Sequence, residues 1–229
     1  MQFENWSPDL ICCCKWKTKI DKHGDHLAVG CGKLGVRFDV HDGLVRELHR
    51  LLTWAGHKVK EEPKSLFVNG EANDTQKQPD LLVSDFGPNN QKLLLDVTIR
   101  STAQYERESG ARRNVKAGVG AADVFGQKND KYRDLAGRTG DVFVPIVFES
   151  CGLMHADSVK VLKQLADKFE KDLKCRKGTI MNYMLKSLSV CLQMGMAKAL
   201  KKKYFHIVRS TVPYAEADDV ALESSGEVY

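Results

Sequence analysis

The sequence predicts an α/β fold, and three observations carry that expectation. One amphipathic helix precedes three short strand patterns. A second helix then leads into a nearly continuous apolar strand, and the rest of the chain reads as helical. At 229 residues with 42% hydrophobic residues, the chain is long enough to bury a substantial core.

The first helix is expected over residues 42–55. Leu44, Val45, Leu48, Leu51, Leu52 and Ala55 fall within an arc of about 120° at 100° per residue. Asp42 is placed as its N-cap, and Gly56 stands where a C′ residue belongs. Glu47 lies beside that arc next to Leu51, at the rim of a possible buried cleft, away from Arg46 and Arg50. Weak strand character over 57–62 ends at Pro63, and a second strand, 81–85, follows Pro79-Asp80. The third, 93–99, is strong: Leu93, Leu95, Val97 and Ile99 share one face, and Leu94, Asp96 and Thr98 the other.

A polar, basic connector carries Arg100, Arg107, Arg112, Arg113 and Lys116. The second helix, 119–136, has the stripe Ala121, Val124, Phe125, Tyr132 and Leu135, with Lys128 in its middle and Lys131 at its edge. A buried strand is expected over 141–149, helices over 156–174 and 182–203, and a short strand over 204–209. Cys151, Cys175 and Cys191 are expected in the core of that helical extension. No apolar run approaches the ~18–20 residues of a membrane helix. Residues 1–10 lack the basic and apolar regions of a secretory signal, so the expectation is a non-secreted, reducing, intracellular setting.

Charge is unevenly distributed. Residues 210–229 hold five acidic residues and neither Lys nor Arg, and this tail is expected to fray. The first 209 residues therefore set 35 Lys and Arg against 25 Asp and Glu, a net +10. A basic body of this kind suits a polyanionic partner. Seven cysteines, three of them adjacent (Cys12, Cys13, Cys14), do not resemble a disulfide framework and point toward metal.

Asp80 and Asp96, with fifteen residues between them, fall on successive strands. A carboxylate within an apolar strand is costly unless it is paired or binds a cation. Two or three such oxygens converging make a Mg²⁺ site, with Glu47 as candidate third ligand and Lys128 as a cation beside it. Each residue also has an ordinary structural reading: Asp96 as a satisfied strand-end carboxylate, Lys128 snorkelling to solvent, and Glu47 paired with Arg50.

Pro79-Asp80, a short hairpin, and Leu95-Asp96-Val97-Thr98 in αβββαβ order resemble the PD-(D/E)XK restriction-like endonucleases. The resemblance implies a mixed sheet in which Asp80, Asp96 and the Val97 carbonyl hold Mg²⁺ or Mn²⁺. The family's strand lysine is replaced here by Thr98. Some branches move that lysine to the following helix, where Lys128 stands, with Lys131-Tyr132 as the alternative.

The clustered cysteines, Gly24-Asp25-His26, Cys31, His41-Asp42, Glu62-Pro63 and Lys128-x-x-Lys131-Tyr132 resemble one branch in particular. It is the endonuclease domain of early-branching, site-specific non-LTR retrotransposons, in which an Arg usually stands where Val40 does. The resemblance spans residues 12–149 and implies a structural zinc site, Cys12, Cys14, His26 and Cys31, with His23 and Cys13 as substitutes. With the helical pattern and the acidic tail, the expected division is a zinc-binding segment (1–36), a nuclease core (37–152), a helical extension (153–209) and an acidic tail (210–229).

The activity implied is hydrolysis of a DNA phosphodiester, leaving a 3′-hydroxyl able to prime reverse transcription. Glu47 would assist from the helix, and DNA would be the main partner, with RNA or a reverse transcriptase beside it and the nucleus as a natural location. Arg107, Arg112, Arg113 and Lys116, and later Lys201-Lys202-Lys203, are candidate phosphate contacts. A DNA-binding module without cleavage and a structure-selective resolvase or repair nuclease are the alternatives on the same fold.

Overall fold

The computed structural model describes residues 11–12, 20, 27, 35–63, 78–84, 86–87, 91–100 and 117–211. The described elements run α1 (Val36–Trp54), β1 (Val59–Glu61), β2 (Leu81–Val83), β3 (Leu93–Arg100), α2 (Val119–Thr139), β4 (Val142–Glu149), α3 (Ala156–Leu173) and α4 (Thr179–Thr211). The fold is α/β, with one four-stranded mixed sheet in the order β1-β2-β3-β4. The first two pairings are antiparallel and β3-β4 is parallel. A parallel pair needs a crossover between its strands, and α2 supplies it.

Both faces of the sheet are covered; all of β2 and the first five residues of β3, the two central strands, are buried. Leu93, Leu95 and Val97 pack with Ile146 and Phe148 of β4 and with α1, α3 and α4. On the opposite face Ala121 and Val124 of α2 pack on Val147. The C-terminal helices share the sheet's core: Leu162, Leu165, Met184, Leu188, Leu192 and Met196 belong to the same cluster as Leu95.

α1 begins six residues earlier than the sequence predicts. Gly35, in a left-handed conformation at φ 65°, precedes it, so Asp42 lies within the helix and is not its N-cap. The added turn is held by tertiary packing. Val40 is buried against α4, where a Cβ on Gly195 would lie 3.1 Å from Val40 Cγ1. The other end follows expectation. Gly56 takes φ 80°, its N–H donates to Thr53 O, and the His57 N–H donates to Leu52 O, each at 3.0 Å. These are the paired bonds of a Schellman stop.

The strand expected over 204–209 does not form; α4 continues through it to Thr211. Its aromatic and β-branched residues favour a strand locally. Burial at Leu192, Met196, Ala199, Lys203 and Ile207 follows helical spacing instead, and Ile207 packs with Cys12, Ile20 and Leu27. Long-range packing overrides the local preference. Cys175 and Cys191 pack against the core as expected, but Cys151 is exposed, in the turn after β4. The acidic tail beyond residue 211 lies outside the described residues.

β4 is an edge strand, which accommodates Pro145. The Ser158 hydroxyl donates to Pro145 O at 2.7 Å and accepts the Val147 N–H at 3.2 Å, and the His155 N–H donates to Val147 O at 3.0 Å. The outer edge at Pro145 and Val147 is thus satisfied by the start of α3. Among the described residues no helix is long and apolar enough to cross a membrane.

Candidate active site

The antiparallel register of β2 and β3 sets Leu81 opposite Leu95. Asp80 directly precedes β2 and Asp96 directly follows Leu95, so the register brings both residues to the same end of the ladder. Asp80 also takes over the ladder where β2 ends: its Oδ2 accepts the Val97 N–H at 2.6 Å.

Asp96 is only 7% exposed, facing α2, and its oxygens are bound from two elements. Lys128 Nζ lies 2.7 Å from Oδ2, and the Thr98 hydroxyl donates to the same oxygen at 3.1 Å. Oδ1 faces the Tyr132 hydroxyl at 3.4 Å. Lys128 occupies the apolar stripe because its ammonium has a carboxylate to meet there. Lys131, in contrast, is exposed and lies over the Tyr132 ring, 5.1 Å from its centroid. Of the two lysines, Lys128 is the one at the carboxylates.

His41 completes the cluster from α1. Its Nε2 lies 3.1 Å from Val97 O and 3.3 Å from Asp80 Oδ2, and its Nδ1 lies 3.0 Å from Asp42 Oδ1. Acceptors on both nitrogens call for the doubly protonated ring. The hydrogen bond to Asp80 raises its pKa to about 9; burial opposes the rise, and Asp42 adds to it. His41 is therefore an imidazolium at neutral pH, and Asp80 and Asp96 each face a cation. Burial, and then the charges of Asp96 and Asp80, push the Tyr132 phenol well above its ordinary value.

Glu47 is not brought to this cluster. It lies six positions after His41, which turns it about 120° around the helix. Arg50 binds both of its oxygens, at 2.9 and 2.7 Å, so the ion-pair reading of Glu47 is the one the structure bears out. Of the predicted zinc ligands only Cys12 is described. It is buried in the small apolar cluster with Ile20, Leu27 and Ile207, while Cys14, His26 and Cys31 lie outside the described residues. Arg107, Arg112, Arg113 and Lys116 also lie outside them. Lys201 is exposed, Lys202 meets Asp39 at 3.3 Å, and Lys203 is buried, so the three do not form one phosphate-facing row.

Among the described residues, no cluster of three or more His, Cys, Asp or Glu is arranged to hold a metal. The oxygen donors at the site, the Asp80 and Asp96 carboxylates and the Val97 carbonyl, are of the kind a hard cation takes, and here they are bonded to Lys128, Thr98, Tyr132, His41 and the Val97 N–H. Mg²⁺ keeps several waters and takes few ligands from protein, so its donor chemistry is matched by carboxylate and carbonyl oxygens of this kind. No protein-family model and no curated protein matches the chain.

Proposed function

We propose that the chain is a metal-dependent DNA endonuclease of the PD-(D/E)XK kind. The observation that carries this reading is that Asp80, just before β2, binds the N–H of Val97 next to Asp96, while Lys128 is bonded to Asp96. The order helix, three antiparallel strands, crossover helix and parallel strand supports it, as does the basic body of the chain.

Asp80, Asp96 and the Val97 carbonyl would hold Mg²⁺ or Mn²⁺, which when bound supplies an acidified water and charge stabilisation at the phosphate. Lys128 places a positive charge where negative charge develops on the attacked phosphate, an electrostatic contribution that does not depend on proton transfer. His41 holds the Asp80 carboxylate and the Val97 carbonyl in one orientation. The basic connector of Arg107, Arg112, Arg113 and Lys116 is assigned to phosphate binding, which gives affinity and salt dependence. Structural zinc on Cys12, Cys14, His26 and Cys31 belongs to the same reading. It predicts stoichiometric zinc in the purified protein and a lower melting temperature on chelation.

Nicking of supercoiled plasmid in Mg²⁺ or Mn²⁺ tests the activity. Cleavage by the wild type, lost in Asp80→Ala and Lys128→Ala but kept in Lys131→Ala, is the expected pattern. DNA retention without nicks would assign a binding module, for which Thr98 in place of the strand lysine is the supporting observation. A large preference for branched over linear DNA would assign a resolvase.

A further inference from the structure

We infer that Tyr132 is the positioning residue of the carboxylate pair, its hydroxyl fixing the chain segment that carries Asp80 against Asp96. This rests on the metal-dependent reading above and extends it to a residue outside the metal-ligand set. Tyr132 is 2% exposed, and its ring stacks on Phe143 of β4 with centroids 4.3 Å apart and planes 20° from parallel. The ring thus has one place to sit, and its oxygen is delivered to a fixed point.

That point lies between the two arms of the site. The hydroxyl is 3.2 Å from Gln78 O, two residues before Asp80, and 3.4 Å from Asp96 Oδ1. A carbonyl and a carboxylate oxygen aimed at one point repel each other unless a donor stands between them. The phenol has one proton and shares it between them.

Strand pairing cannot do this work, because the β2-β3 ladder stops at Leu81 and Leu95. Beyond it the Asp80 arm is held by the Glu62 N–H on Asp80 O at 2.9 Å, by the Val97 N–H and His41 Nε2 on Asp80 Oδ2, and, at Gln78 O, by Tyr132. Lys128, one turn earlier on the same face of α2, holds the other oxygen of Asp96. One helix face therefore controls both oxygens of Asp96 and, through Gln78, the approach of Asp80.

A tyrosine that merely satisfied its own buried hydroxyl would leave metal affinity untouched. Calorimetric titration of the full chain with MnCl₂ separates the two roles, using wild type, Tyr132→Phe and Asp80→Ala. Tyr132→Phe keeps the stack on Phe143 and removes the shared proton. The expected result is Mn²⁺ affinity about tenfold weaker in Tyr132→Phe, the scale of loss for an outer-shell partner of a metal ligand. Its nicking rate should recover toward wild type as Mn²⁺ is raised, with the melting temperature in EDTA little changed. Wild-type Mn²⁺ affinity in Tyr132→Phe would overturn the positioning role while leaving the site reading intact. Wild type binding Mn²⁺ no better than Asp80→Ala would overturn the site reading, and the role of Tyr132 with it.

Discussion

Lys128 Nζ meets Asp96 Oδ2 at 2.7 Å, although the two residues lie on different elements, a helix and the strand before it. Two positions after Asp96, where the nuclease resemblance places a lysine, Thr98 stands and donates its hydroxyl to the same oxygen. The cation reaches the carboxylate from α2 instead of from β3.

This exchange is testable by reversing it. Lys128→Ala is expected to slow plasmid nicking about 100-fold, the usual scale for removing one preorganised charge from a reacting centre. Adding Thr98→Lys to that variant returns a cation to the strand and is expected to restore part of the rate. Single-turnover rates on nicked-circle formation check both, and a double variant no faster than Lys128→Ala would count against functional equivalence of the two positions.

The charge on His41 makes metal-free stability depend on pH. Its pKa is raised in the folded chain, from 6.5 to about 9, by Asp80 and Asp42. A raised pKa contributes stability that is fully present below the unfolded value and lost as pH rises through the folded one. Melting temperatures in EDTA are therefore expected to fall between about pH 6.5 and 9, and the fall is expected to flatten in His41→Gln. Equal slopes in the two proteins would remove His41 as the cause.

Glu170 of α3 caps the start of α4. Its two oxygens accept the Gly178 and Ile180 N–H groups, each at 2.8 Å, and these bonds hold its carboxyl below the ordinary 4.5. A lowered pKa gives stability that is present above the ordinary value and lost as pH falls through the folded one. Glu170→Gln should lower the melting temperature at pH 7 and reduce the wild type's loss of stability in acid, which thermal melts from pH 7 to 3 would register.

Val40, the position at which the nuclease resemblance would place an arginine, belongs to the core. Val40 is 4% exposed and lies against Gly195 of α4. Val40→Arg would bury an unpaired charge and is expected to cost at least about 3 kcal/mol. Gly195→Leu is expected to cost about 1–3 kcal/mol by overpacking, relieved in part by Val40→Ala. Urea denaturation midpoints measure each.

Much of this arrangement is legible in the sequence, for identifiable reasons. The alternation of β3 places Asp96 on the α2 face, and the stripe of α2 makes Lys128 conspicuous among apolar neighbours. His41 is missed as a site residue because Asp42 reads as an N-cap, which puts His41 outside the helix. The available signal was Val40, one turn before Leu44 on the same apolar face. Tyr132 is legible as a member of the stripe and of the Lys128-x-x-Lys131-Tyr132 stretch, but nothing local shows that its hydroxyl meets Gln78 O, 54 residues earlier. The end of α4 misreads as a strand for a similar reason. Its helical form depends on Ile207 meeting Cys12, Ile20 and Leu27, residues far away in the chain.

The central claim is that Asp80 and Asp96 form one metal-dependent cleavage site. Its most direct measurement is the Mg²⁺-dependent nicking rate of Asp96→Asn beside wild type, since the substitution keeps shape and removes one charge. Metal-dependent nicking by the wild type and a loss of at least about 100-fold in Asp96→Asn, with the fold intact by circular dichroism, are the expected results. Nicking by Asp96→Asn at the wild-type rate would contradict it.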